Sequence, residues 1–246
     1  SQGFQFPTFG LTQPNRHRRF AHRGSPYDYL HDRRNFAIRI LAPEHPFPSG
    51  LEDCEDALRW ASRHLPALIG RDGPLVLAGD SAGGNLAAVI AQRLHAEIPM
   101  AGQVLVYPVT DARFDTASYL RHGSGLTLTR DDMRWFFEHY APPEQWPDPA
   151  LSPLRQPEVH SAPPTVVALA EYDVLHDEGK AYAGRLEAAG RLAARRFYPG
   201  VTHGFLRLHN LVDTADQAVT ELAADIRSFC VKAACGASFH PEAPVA

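Results

Sequence analysis

Long apolar runs are missing from this sequence. No stretch of its 246 residues approaches the roughly 20 apolar residues that cross a bilayer, so no membrane span is expected. The first ten residues, SQGFQFPTFG, have neither a basic start nor an apolar core. They show no secretory leader, and one already cleaved would leave no trace. Cysteine is scarce. Cys54, Cys230 and Cys235 are odd in number and lack metal-type spacing, which excludes a disulfide framework and points to reduced thiols in a cytoplasmic protein. Thirteen histidines are present, but no HExxH or paired His/Cys pattern organises them. No metal and no cofactor are therefore expected. Charge of one sign is not in excess: 24 Lys and Arg face 28 Asp and Glu, a net charge of −4. That balance disfavours nucleic acid and anionic membrane surfaces as partners. What remains is 44% hydrophobic and 21% charged, an ordinary globular composition with enough chain for a continuous core.

From Asn35 onward the pattern alternates between strand and helix. Strands are expected at residues 35–41, 73–80, 101–110, 163–175 and 194–200, and helices at 51–69, 83–97, 179–190 and 213–233. The strand candidates are continuous apolar runs, as in parallel strands buried on both faces. Such alternation implies α/β architecture: a mostly parallel central sheet with helices on both faces. Residues 111–160 interrupt it with six prolines, from Pro142 to Pro157, and one aromatic helix at 129–141. They read as a lid-like insertion in a domain spanning 35–235. Residues 1–34 look different. The stretch PNRHRRFAHRG, Pro14 to Gly24, holds four arginines and two histidines without any period, and reads as an irregular segment. Residues 236–246 read as a disordered tail.

The chemistry concentrates in GDSAG, Gly79 to Gly83. This G-x-S-x-G pattern lies between an apolar strand and a helix, the context of a nucleophile elbow. The sharp turn needs glycine because a side chain would clash. A serine hydroxyl is a weak nucleophile, so it needs a base, and the base needs an orienting acid. The elbow predicts the chain order Ser, then acid, then His. Asp173, after the apolar run TVVALA (165–170), and His203, after the strand at 194–200, each lie just past the C-terminal end of a strand, the edge where open α/β sheets place their sites. Competitors exist nearby. Asp177 and Glu178 read as the acidic first turn of the next helix, His176 shares their loop, and His209 lies at a helix start. Trp135, Phe136 and Phe137 in the insertion either line a substrate pocket or simply pack.

Several blocks together resemble the hormone-sensitive-lipase-like family of α/β-hydrolase esterases. They are LAPEHPFPSGLEDCEDALRW (41–60), GDSAGGNLAA (79–88), SPL (152–154), EYDVLHDEGKAYAGRLEAAG (171–190) and GVTHGF (200–205). The resemblance implies the α/β-hydrolase fold and hydrolysis of short-to-medium acyl esters through an acyl-enzyme. It implies Ser81 as nucleophile, Asp173 as orienting acid and His203 as base. The first strands of the fold are missing, which exposes a sheet edge that either a partner chain, as in a homodimer, or residues 1–34 would cover. The backbone N–H of Ala82, just after the serine, is one expected oxyanion donor.

The sequence also departs from the family. An HGG loop usually supplies further oxyanion donors upstream of the serine, but Gly83-Gly84 is the only Gly-Gly pair here. Counting back places HRRF, His17 to Phe20, where that loop belongs. The fold is accordingly expected to be N-terminally shortened. Either the chain is a truncated or rearranged relative, or glycine codons are read one frame over in a GC-rich gene. Losing an oxyanion donor costs about 10²–10³ in rate. The alternative to an esterase is therefore a weak or inactive relative that binds a small ligand.

Overall fold

The computed structural model describes residues 42–70 and 72–236. The expected irregular segment 1–34, its HRRF stretch, the strand 35–41 and the tail beyond Gly236 lie outside the described residues.

The first described helix, α1 (Ser49–Ile69), stops at Gly70, whose φ of 76° lets its N–H reach the Pro66 carbonyl. Strand β1 (Val76–Asp80) then runs straight into α2 (Ala82–Leu94), with Ser81 alone between them. β2 (Gly102–Val106) follows. The insertion contributes two helices, α3 (Ala117–His122) and α4 (Arg130–Tyr140). β3 (Thr165–Tyr172), α5 (His176–Ala188), β4 (Leu192–Thr202) and α6 (Asp213–Ala234) follow.

Among the described residues four strands form one sheet in the order β1-β2-β3-β4, and every neighbouring pair is parallel. Period-two geometry divides their side chains between two cores. Val104, Val106, Val166 and Ala168 face α6, where they meet Leu222 and Phe229. Leu105, Val167 and Leu169 face the opposite side, against Ala87 and Ala88 of α2 and Tyr182, Ala183 and Leu186 of α5. Both faces are covered, which explains the unbroken apolar runs. α1 lies outside α2, packing Leu51, Cys54 and Leu58 against Val89, Ile90 and Leu94.

The insertion builds its own apolar cluster from Phe114, Tyr119, Met133, Phe137 and Leu151, with Val174 and Leu175 beside it. α4 opens with a capping box in which Thr129 and Asp132 exchange side-chain and backbone bonds, satisfying two otherwise orphaned N–H groups. α3 is not expected from the sequence: six residues are too few for a helical period. Tertiary bonds hold it instead. The Ser118 N–H donates to Asp177 Oδ2 at 2.7 Å and its hydroxyl donates to the Val174 carbonyl at 2.6 Å.

Candidate active site

The C-terminal edge of the sheet gathers the expected residues. Ser81 has φ 55° and ψ −120°, a conformation that non-glycine residues rarely adopt. Its N–H donates to the Val106 carbonyl, and its own carbonyl accepts from Asn85 and Val109. These bonds hold the turn in its strained form. The glycines around it are not equivalent. A Cβ on Gly79 would sit 2.2 Å from the Gly83 carbonyl oxygen, and one on Gly84 would sit 2.8 Å from Pro108 Cβ. A Cβ on Gly83 would meet nothing within 4 Å. The expectation that both flanking glycines exclude a clash is therefore corrected at Gly83: its backbone is the obstacle that keeps Gly79 bare.

Asp173 follows β3 and is 2% exposed. Its Oδ1 accepts the Leu175 N–H at 2.9 Å, and its Oδ2 lies 2.7 Å from His203 Nδ1. His203 follows β4, with Gly204 behind it at φ 79°. His203 Nε2 lies 2.9 Å from Ser81 Oγ. Ser, His and Asp thus form one continuous hydrogen-bonded line in the expected chain order. Ala82 is the first residue of α2, where helical N–H groups have no intrahelical acceptor and favour negative charge.

The competing residues go elsewhere. His176 opens α5 and its Nδ1 pairs with the Ala170 carbonyl at 2.8 Å. His209 ends the short helical turn after His203. Trp135 is 49% exposed and lies over His139, with ring centroids 4.2 Å apart. Phe136 is half-buried and meets Trp135 in an edge-to-face arrangement, ring centroids 5.4 Å apart. Phe137 is 5% exposed and packs edge-on against Phe114 and Trp146. Of the aromatic triplet, Phe137 is therefore a core residue of the insertion rather than a free pocket wall. The reason is helical geometry: neighbouring positions point about 100° apart, so three consecutive rings cannot share one face.

Tyr107 carries no sequence signal for its place at the site, and the charge of Glu178 gives none for its burial. Tyr107 has φ 36°, and its ring lies 4.6 Å from that of His203. Its hydroxyl is 3.5 Å from Asp80 Oδ2, and burial raises its pKa. No local pattern marks this residue. Glu178 is in the first turn of α5, as expected, but it is 1% exposed. The spacing Glu178, Gly179, Tyr182, Ala183, Leu186 is the buried face of that helix, and this period was the available signal. Among the described residues no group of three or more His, Cys, Asp or Glu could hold a metal ion.

A parallel sheet with a strained strand–turn–helix serine, hydrogen-bonded through histidine to a buried aspartate, defines the α/β-hydrolase class. The chain belongs to the alpha/beta hydrolase fold family, whose pattern it matches over residues 40–207. It is 40% identical over 184 residues to an ethyl acetate hydrolase of Pseudomonas putida, covering 73% of this chain and 58% of that protein. It is 38% identical over 197 residues to the carboxylic ester hydrolase LipN of Mycobacterium tuberculosis, covering 76% and 52%. Among solved structures, an esterase of Pyrobaculum calidifontis superposes with a TM-score of 0.72 at 37% identity, covering 76% of this chain and 63% of that one. The thermostable carboxylesterase EstE1, cloned from a metagenomic library, gives 0.72 at 39% identity, covering 77% and 66%. The chain thus spans between about half and two thirds of the length of these relatives.

Proposed function

We propose that this chain is a serine carboxylesterase acting on short-to-medium acyl esters. The observation that carries the reading is the unbroken line Ser81 Oγ to His203 Nε2 at 2.9 Å and His203 Nδ1 to Asp173 Oδ2 at 2.7 Å. The names of the relatives, ethyl acetate hydrolase and carboxylic ester hydrolase, support it.

The mechanism follows from these roles. His203 Nε2 takes the Ser81 proton as Oγ attacks the ester carbonyl carbon. The carbonyl π electrons move onto oxygen, and the Ala82 N–H faces that oxyanion. Asp173 holds the imidazole with Nδ1–H toward itself and stabilises the imidazolium that forms. The intermediate collapses, the alcohol leaves with the proton from His203, and Ser81 is acylated. Water then repeats the sequence, with His203 as base, and releases the carboxylic acid.

A cytoplasmic protein that assembles as a homodimer completes the reading. Among the described residues no helix is long and apolar enough to cross a membrane. β4 ends the described sheet, with Phe197 exposed along it. Light scattering measures the dimer.

The test is hydrolysis of a p-nitrophenyl ester series, from acetate to octanoate, by the parent chain and by Ser81→Ala. Hydrolysis lost in Ser81→Ala supports the reading. Activity unchanged by the substitution, or saturable binding of the ester with no turnover, overturns it in favour of a ligand-binding relative.

A further inference from the structure

Glu178 is a carboxyl with almost no solvent, in a helix whose other buried positions are apolar or small. The proposed reaction does not use it. A first-turn acid that served only the helix dipole would stay in water, where its charge costs least. Glu178 instead turns inward and binds another segment. Its Oε1 accepts the Thr110 N–H at 2.7 Å and the Asp111 N–H at 3.2 Å.

The segment it grips is the loop after β2, residues 107–111. This loop is wedged between the helix that follows the nucleophile and the helix that follows the acid. On the nucleophile side, Pro108 meets Gly84, Val109 N–H donates to the Ser81 carbonyl at 3.2 Å, and Asn85 Nδ2 donates to the Val109 carbonyl at 2.9 Å. On the acid side, Gly179 of α5 approaches Pro108, and Glu178 supplies the two bonds just described. α5 starts three residues after Asp173, whose Oδ1 caps Leu175 N–H. Between these anchors, Tyr107 lays its ring against His203.

We infer that Glu178 is a positioning residue: it locks the 107–111 loop to α5 and so holds Ser81, His203 and Asp173 at hydrogen-bonding distance. The inference rests on the esterase reading for its catalytic consequence, though not for its geometry. An apolar side chain of similar shape would leave the buried Thr110 and Asp111 N–H groups without an acceptor, so the carboxyl oxygen is what ties this loop to α5. The neighbours fit a neutral acceptor. Asp111, paired with Arg155, and the buried Asp173 both disfavour a further negative charge, and burial pushes the Glu178 carboxyl well above its usual range. The Tyr119 hydroxyl lies close enough to feel that carboxyl, yet neither Tyr119 Oη nor Glu178 Oε2 has a hydrogen bond of standard geometry. The two bonds from Oε1 are thus the ones that define the role.

The test compares the parent with Glu178→Gln, Glu178→Leu and Glu178→Asp. Two readouts are used: kcat and KM on p-nitrophenyl acetate, and the downfield proton resonance of His203 Nδ1–H bonded to Asp173. Glutamine keeps a carbonyl oxygen for Thr110 and Asp111, so kcat stays within about threefold of the parent and the resonance persists. Leucine removes the acceptor, so kcat falls roughly 10- to 100-fold with little change in KM, and the resonance broadens or vanishes. Should the leucine variant not fold, aspartate serves: it keeps the carboxyl but is one methylene too short to reach both N–H groups, and kcat falls in the same direction. A folded leucine or aspartate variant with parental kcat and resonance overturns the inference. Equal losses in glutamine and leucine also overturn it, since charge rather than the two amide bonds would then do the work. The resonance needs no substrate. A parent chain that shows it but hydrolyses nothing refutes the esterase reading while leaving Glu178 to be judged by the variants' spectra.

Discussion

Ser81 Oγ and His203 Nε2 lie 2.9 Å apart although 122 residues separate them in the chain. That contact exists because β1 and β4 end on the same edge of a parallel sheet. In the proposed mechanism, replacing Ser81 with alanine removes the nucleophile and lowers kcat for p-nitrophenyl acetate by about 10⁴-fold or more. Replacing it with glycine is equally inactivating but relieves the strain at φ 55°. Thermal unfolding of Ser81→Gly is expected to show about 1 kcal/mol more stability than Ser81→Ala.

In the proposed mechanism Asp173 acts through His203, 2.7 Å from its Oδ2. Asparagine there keeps the size and an oxygen for Leu175 N–H, but presents an amide N–H toward His203 Nδ1. The imidazole then turns its N–H toward Ser81 and cannot accept the serine proton. kcat falls by roughly 10⁴-fold while the far-UV circular dichroism is unchanged. A parental rate in Asp173→Asn removes Asp173 from the site.

The two glycines of GDSAG separate cleanly. Gly79→Ala drives a Cβ to 2.2 Å from the Gly83 carbonyl oxygen, and destabilises by about 3 kcal/mol or prevents folding. Gly83→Ala enters open space at the start of α2, and changes stability by about 1 kcal/mol or less. Urea unfolding of the two variants side by side measures the contrast.

The pH dependence of stability carries a Glu178 signature. Its folded carboxyl holds a proton well above 4.5, chiefly because it is buried. In the unfolded chain it ionises near that value. Above about pH 4.5 the unfolded state therefore binds fewer protons, and stability falls as pH rises until the folded carboxyl ionises as well. Glu178→Gln lacks this loss. Its stability relative to the parent grows with pH, by at most about 1.4 kcal/mol per pH unit. Urea titrations of both chains at about pH 5 and about pH 8 check the sign.

Much of the site is legible in the sequence, and for local reasons. The elbow announces itself because an apolar run, a small-residue turn and a helical period are adjacent in sequence. Asp173 and His203 were marked by their places just past strands, and they occupy those places. The helices expected at 51–69 and 213–233 form at Ser49–Ile69 and Asp213–Ala234, because a long period leaves little room for error. α3 was invisible because its stability comes from Asp177 and Val174, more than fifty residues downstream. Tyr107 was invisible because a positive φ in a tyrosine has no local signature. Glu178 stands in the first turn of α5 as its acidity indicates, but its burial is not legible from charge, which usually marks exposure. Only the packing of α5 against the 107–111 loop turns that carboxyl inward.

The amino-acid order alone determined the alternating architecture, the strained serine and the identity of its partners. Those features depend on backbone preference and on period, which neighbouring residues set. Tertiary structure decided the rest: which glycine must stay bare, which aromatic rings are buried, and what holds the loop beside His203. Those outcomes depend on distances between segments far apart in the chain. Such distances exist only once the sheet has brought the ends of β1, β2, β3 and β4 to one edge.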